Sequence, residues 1–187
     1  MLTRYEVFDY KNALSVLNGS FYQEFSELCN VLSGFRLLSS DIVAAGGRKS
    51  PIAEKLDGAL YNMLWIEKQF ETSKIIDGVV RSTPTHKIDC YKNKVAIEVE
   101  WNNKDPFFDR DLNNFRLLYD LDAISVGIII TRSDELQLIF NGLGKGASYG
   151  ASTTHMSKLI PKIIGGGAGG CPVLVIGITS RCYEYDL

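Results

Sequence analysis

Histidine and closely spaced cysteine are both scarce in this chain, and that narrows its chemistry first. Its 187 residues include two histidines, His86 and His155, and four cysteines, Cys29, Cys90, Cys171 and Cys182, with no CxxC pair among them. Zinc sites draw mainly on Cys and His, and cysteines this far apart support neither a metal cluster nor a disulfide framework. Any metal would be held by oxygen. No segment approaches the ~18 apolar residues that span a bilayer. Met1 to Tyr10 mixes Arg4, Glu6 and Asp9 with aromatics instead of presenting an apolar signal peptide. A soluble cytoplasmic protein is expected. Positive charge is not in excess either: the formal net charge is −2. The chain carries no global basic signature of a protein that binds nucleic acid by bulk electrostatics, and a local basic groove stays compatible with this charge. No repeat or linker divides the chain, and 45% apolar residues suffice for one core. One domain over 1–187 is expected, with a helical N-terminal part over 1–70 and an α/β core over 71–187.

What is present is periodic. Leu14, Leu17, Phe21, Phe25, Leu28 and Leu32 recur at helical spacing and predict one long amphipathic helix from Lys11 to Leu32, with Gly19 as the place for a break. Ser50 as N-cap and Pro51 at the first helical position open a second helix, running to about Trp65. Phe70 to Ser82, rich in Thr, Ile and Val, has room for a short strand. Thr85 to Tyr91 and Lys94 to Trp101 read as two strands joined by a tight turn at Lys92-Asn93. In the second, Val95, Ile97, Val99 and Trp101 alternate with Ala96, Glu98 and Glu100, the period of a strand. A helix from Pro106 to Leu121 follows, with Phe108, Leu112, Phe115 and Tyr119 as its apolar stripe and Arg110, Asn113, Asn114 and Arg116 outside. Ser125 to Arg132 and Cys171 to Thr179 are the unbroken apolar runs of strands covered on both faces, with a helix from His155 to Ile164 between them. Strand, helix, strand in this order predicts an α/β fold, a mixed central sheet flanked by helices.

Two glycine clusters invite a nucleotide reading and fail it. In GLGKG the Lys145 is followed by Gly146, where a phosphate-binding loop needs Ser or Thr opening a helix. The run GGGAGG precedes a strand, whereas a dinucleotide fingerprint follows one.

The acids are more informative. Glu98 and Glu100 are two apart on one strand, hence on one face and roughly 6 to 7 Å apart, and a hairpin would bring Asp89 alongside. Carboxylates that close raise one another's pKa or destabilise the fold unless a cation lies among them. Mg²⁺ takes oxygen ligands, usually one or two carboxylates with waters and phosphate oxygens, and can activate water against a phosphodiester. The competing reading is a half-wet strand whose outer face happens to be acidic. Upstream, Glu54 and Asp57 share a helix face and are candidates for an extra acid, with solvated pairing to Lys55 or Lys68 as their alternative.

The spacing Asp89, Glu98, Glu100 on an alternating strand, with a helix and an apolar strand after it, resembles the core of the PD-(D/E)XK nucleases. The segments VAIEVEW, DAISVGIIITR and CPVLVIGI, in this order, are similar to type II restriction endonucleases of the BglII/BstYI group, with BamHI more distant, over residues 85–180. The resemblance implies a restriction-endonuclease-like core and Mg²⁺-dependent, sequence-specific hydrolysis of double-stranded DNA to 5′-phosphate and 3′-hydroxyl ends, Mn²⁺ substituting. Carried over by position, it makes Asp89, Glu98 and the Val99 carbonyl the metal ligands, and Asp89, Glu98 and Glu100 the catalytic acids. Glu100 stands where the motif has lysine; BglII and BstYI have Gln there and BamHI has Glu. Whether it orients water or also takes its proton stays open. Ile88 replaces the motif's proline. A repair nuclease on the same core and a non-catalytic DNA-binding protein are the alternatives.

Reading bases in a groove requires amide and guanidinium groups. Asn102, Asn103, Lys104, Arg110, Asn113, Asn114 and Arg116 supply them just after the acidic strand. Arg132, Lys145 and Ser148 form a second candidate surface, and Arg48 and Lys49 a third, a phosphate clamp. Cutting both strands of a palindrome is most simply done by a homodimer. The resemblance adds a GATC-centred target and a cognate DNA methyltransferase in the same prokaryotic cell.

Overall fold

The apolar runs become the middle of a six-stranded sheet. The computed structural model describes residues 2–44 and 49–187. In chain order its elements are β1 (Tyr5–Tyr10), α1 (Ala13–Ser20), α2 (Tyr22–Gly34), β2 (Leu37–Leu38), α3 (Ser39–Val43), α4 (Pro51–Tyr61), β3 (Ile66–Lys68), β4 (Ser73–Ile76), β5 (Val79–Ser82), β6 (Ile88–Lys92), β7 (Val95–Val99), α5 (Pro106–Asp120), β8 (Val126–Arg132), α6 (Leu136–Gly142), α7 (Met156–Ile164), β9 (Val173–Ile178) and β10 (Tyr183–Glu184). The sheet runs β1-β9-β8-β7-β6-β3. Its β7, β8 and β9 are parallel and the flanking pairs antiparallel, so the sheet is mixed.

Every residue of those three parallel strands is buried, as expected when helices cover both faces. Val95, Ile97 and Val99 pack with Leu17 of α1, Leu28 of α2 and Leu56 of α4. Ala96 and Ile129 pack on the other side with Phe108 and Phe115 of α5 and Leu159 of α7. Gly127 in β8 lets α5 lie this low, because a Cβ there would overlap the Phe115 ring. That close approach sets the first turns of α5 against the carboxyl end of β7.

Several local expectations shift. The first helix breaks at Phe21 (φ −132°, ψ 40°), which caps α2 and packs partly into the core, while Gly19 stays helical. The second helix ends at Tyr61, and Leu64, at φ 66°, turns the chain before Trp65. The N-terminal part is not only helical: β1 pairs antiparallel with β9, from Tyr5 opposite Ile178 to Tyr10 opposite Val173. Phe70 to Ser82 holds two strands, β4 and β5, turned at Asp77-Gly78 with both residues at positive φ. The β6–β7 turn is Asn93-Lys94 (φ 45° and 67°), one residue later than expected, with Lys92 opposite Val95. Two consecutive positive-φ residues match the right-handed twist of a hairpin, and that fixes the register. Among the described residues no helix is long and apolar enough to cross a membrane, and the four cysteines are buried and free.

Candidate active site

Asp89 of β6 and Glu100, just after β7, line a cleft of about 470 Å³. Asp89 stands just before the paired residues Cys90 and Ile97, alongside Glu98. Its backbone N–H donates to Glu98 Oε2 (3.3 Å), and its Oδ2 accepts from the Val99 N–H (2.9 Å). The Glu100 N–H points the other way, to the Ile130 carbonyl of β8 (2.9 Å). Successive strand residues point their backbone groups to opposite sides, so the Val99 carbonyl opens on the side of Asp89.

Glu98 and Glu100 are 1% and 2% exposed. A half-wet acidic face is thereby ruled out. Burial first, then Asp111 and Asp89, hold the Glu98 carboxyl well above the usual carboxylate range. Burial and then Asp111 push Glu100 up to about 9, with Asn103 and Arg110 pulling against them. The Asn103 amide donates to Glu100 Oε2 (2.6 Å), and the Arg110 guanidinium donates to Glu100 Oε1 (3.0 Å) and pairs with Asp111 (2.7 Å). Asp111 itself is fully buried, and burial raises its pKa too. As a carboxylate its Oδ2 meets no donor. A proton shared with Glu100 would supply one.

Asp111 was not anticipated from the sequence, yet its spacing gave a signal: it lies three residues after Phe108 and four before Phe115, inside the stripe that faces the sheet. Asn114 shares that inner position. It is 4% exposed and its amide donates to the His86 carbonyl (3.2 Å), so it is not on the outer face of α5. Tyr119 leaves the stripe for the surface, and Leu118 takes its place.

Of the remaining candidates, Lys49, Asn102, Asn103, Arg110, Lys145 and Ser148 line the cleft together with Asp89, Val99 and Glu100. Lys104 is exposed beside Ser152 (3.4 Å), and Asn113 and Arg116 are exposed on the outside of α5, none of them lining the cleft. Arg132 is not a surface residue. It is 2% exposed, with its guanidinium donating to the Tyr149 carbonyl (2.8 Å) and Thr153 Oγ1 (3.0 Å), where it holds the loop after α6. Arg48 lies outside the described residues. Glu54 and Asp57 part company: Glu54 is exposed, whereas Asp57 is fully buried, pairs with Lys49 (2.5 Å) and accepts from the Cys90 thiol (3.5 Å). Burial raises the Asp57 pKa, Lys49 opposing and Asp89 adding to it.

Among the described residues no three His, Cys, Asp or Glu side chains are arranged to hold one metal ion. Glu100 is engaged by Asn103 and Arg110, so Arg110 supplies part of the neutralisation of these acids. Two carboxylates and a carbonyl remain. Glu98 Oε1 is buried with no hydrogen-bond partner, a cost of about 1 to 3 kcal/mol or more for a charged group. A hard cation ligated by one or two carboxylates would relieve it. Asp89, Glu98 and the Val99 carbonyl therefore fit such an ion.

The family model described as restriction endonuclease BglII/BglIII matches residues 5–178. That span reaches from β1 to the end of β9, well beyond the segments that carried the resemblance in the sequence. No curated protein matches the chain. With the sheet, the cleft and the acids of β7 all inside the matched span, the chain belongs to the BglII/BglIII family, and it is a type II restriction endonuclease, an enzyme that hydrolyses phosphodiester bonds of DNA at a specific site.

Proposed function

We propose that the chain cuts double-stranded DNA in a Mg²⁺-dependent reaction, with Mn²⁺ as a substitute, and that Asp89, Glu98 and the Val99 carbonyl hold the ion. The observation that carries this reading is the unpartnered Glu98 Oε1 buried beside Asp89 at the cleft of a chain of this family. When bound, the ion lowers the pKa of a water and offsets charge on the phosphate. The protein's own part is placement. The Val99 N–H fixes the Asp89 carboxylate, and the rigid end of β7 fixes Glu98. Glu100, braced by Asn103 and Arg110, orients the attacking water. Attack in line with the leaving 3′-oxygen leaves 5′-phosphate and 3′-hydroxyl ends. Asp57 is the extra acid, acting through Lys49. Lys49, Asn102, Lys145 and Ser148 meet the DNA across the cleft, since cations and amides there can reach phosphates and base edges.

Two copies acting as a homodimer cut both strands of a palindrome. From the resemblance to the BglII/BstYI group we further propose a GATC-centred palindrome as the target and a DNA methyltransferase encoded with the enzyme in a prokaryotic cell, as a restriction-modification system. Digestion of DNA of known sequence with Mg²⁺, followed by mapping of the ends, tests the reading. Discrete fragments with 5′-phosphate ends at one palindrome are expected, and none from Asp89→Ala. A smear, or equal cutting by Asp89→Ala, would contradict it.

A further inference from the structure

The strands β4 and β5 pair only with each other, and every residue in both is exposed. Ile75, Ile76, Val79 and Val80 are between 53% and 72% exposed. A lone two-stranded ribbon is marginal in water, so an apolar one without a cover points to something that lies on it. The charges say what kind of thing. Lys74 stands directly opposite Arg81, and Ile76 opposite Val79. Alternation along the strands puts these four side chains on one face. Like charges facing each other across a hairpin destabilise it, and among the described residues neither cation has an ion-pair partner. An anion lying across both would remove the repulsion.

The ribbon also grows out of the cleft. Glu67 in β3, just before it, and His86, just after it, both line the cleft. Its root is tied by the Thr83 N–H to the Thr72 carbonyl (2.8 Å) and the Thr85 N–H to the Phe70 carbonyl (3.0 Å). The Phe70 ring packs edge-on against Tyr91 of β6 (5.3 Å), in the same strand as Asp89.

We infer that the β4–β5 ribbon is a second DNA-contacting element, lying in the major groove beside the cleft, with Lys74 and Arg81 on phosphates and Ile76 and Val79 against the groove wall. A two-stranded ribbon fits a groove about 12 Å wide. The inference rests on the endonuclease reading, because it takes duplex DNA as the polyanion. Edge pairing with a second copy is the competing cover. It would gather Lys74 and Arg81 from two chains onto one sheet with no anion between them, so charge favours DNA.

The test is binding of a mixed-sequence duplex of about 30 base pairs, without divalent metal so that nothing is cut, measured against salt concentration. Relative to the parent chain, the double variant Lys74→Ala, Arg81→Ala should bind at least about tenfold more weakly and lose about 2 from the slope of log affinity against log salt. The variant Ile76→Ser, Val79→Ser should weaken binding and leave that slope unchanged. Sedimentation should be the same for all three. A parent that binds duplex while the Lys74/Arg81 variant keeps its affinity and slope would overturn the ribbon's role and leave the endonuclease reading standing. A shift in association state with unchanged DNA binding would assign the ribbon to a second copy and overturn it too. A parent that binds no duplex at all would overturn both.

Discussion

The two ends of the β6–β7 hairpin are built on opposite principles. At the turn, each charge has a partner: the Lys92 amine donates to both oxygens of Glu27 (2.8 Å each) and to the Met63 carbonyl (2.8 Å), Trp65 Nε1 donates to Glu27 (2.8 Å), and Asn93 donates to Glu24 (2.7 Å). At the other end, Glu98, Glu100 and Asp111 are buried, the half-exposed Arg110 meets two of them, and two of their oxygens meet no donor. The closed end ties the hairpin to α2. The open end is held in place by strands around it and gives up stability to keep three carboxyl groups together. Strain of that kind persists at sites where chemistry needs it. The hairpin thus separates what holds the fold from what acts on substrate.

Substitutions at each end should separate the same way. The largest effect is expected at the open end: Glu98→Ala should lower DNA cleavage by at least about a thousandfold, measured as plasmid cut per unit time, while its melting temperature without metal stays at or above the parent's. Next comes the buried acid behind Asp89. Asp57→Asn should slow cleavage by about 10- to 100-fold, as loss of a supporting partner does, and the exposed Glu54→Gln should cut at the parental rate. At the closed end, Glu27→Ala leaves Trp65 Nε1 without its acceptor and Lys92 without its counter-charge, and should cost about 2 kcal/mol of stability in denaturant, with cleavage by the folded fraction unchanged. A Glu27 variant that loses cleavage but not stability would erase the distinction.

The smallest effect is in pH, and here the two ends carry opposite signs. Burial alone would raise the Glu27 pKa, but Lys92 and Trp65 outweigh it and hold it below the ordinary 4.5. Its contribution is present above that value and is lost as pH falls. Glu98 and Glu100 are raised, so their contribution is present below 4.5 and is lost as pH rises, for Glu100 through about 9. Without metal, melting temperature should fall by a few degrees between about pH 5 and pH 9. Glu100→Gln should flatten that alkaline limb, and Glu27→Gln should remove part of the acid limb instead. An alkaline limb untouched by Glu100→Gln would contradict the assignment.

Much of this was readable in the sequence where one physical rule dominated. Strict alternation marked β7, unbroken apolar runs marked β8 and β9, and a period near 3.6 marked α5. The strand β1 was missed because its partner β9 lies at the other end of the chain, and nothing local records a pairing between Tyr5 and Ile178. The β4–β5 turn was missed for a different reason: Asp77-Gly78 is a strong hairpin signal, but the apolar pairs Ile75-Ile76 and Val79-Val80 beside it do not alternate with polar residues, so the segment reads as one short strand. Arg132 and Asn114 were placed on the DNA side by residue type, although the position of Arg132 at the end of a covered strand and of Asn114 one turn from Asp111 put both inside. Charge type alone could not show that Arg110 and Asn103 turn inward to Glu100, since that depends on how low α5 sits on Gly127.

That the open end of the hairpin is a cation site is tested most directly by melting the parent and Glu98→Gln with and without Mg²⁺, at about pH 6 and about pH 8. Mg²⁺ should raise the parent's melting temperature, more at the higher pH, and leave Glu98→Gln unmoved. An equal shift in both proteins, or no shift in a parent that still cuts DNA, would contradict it.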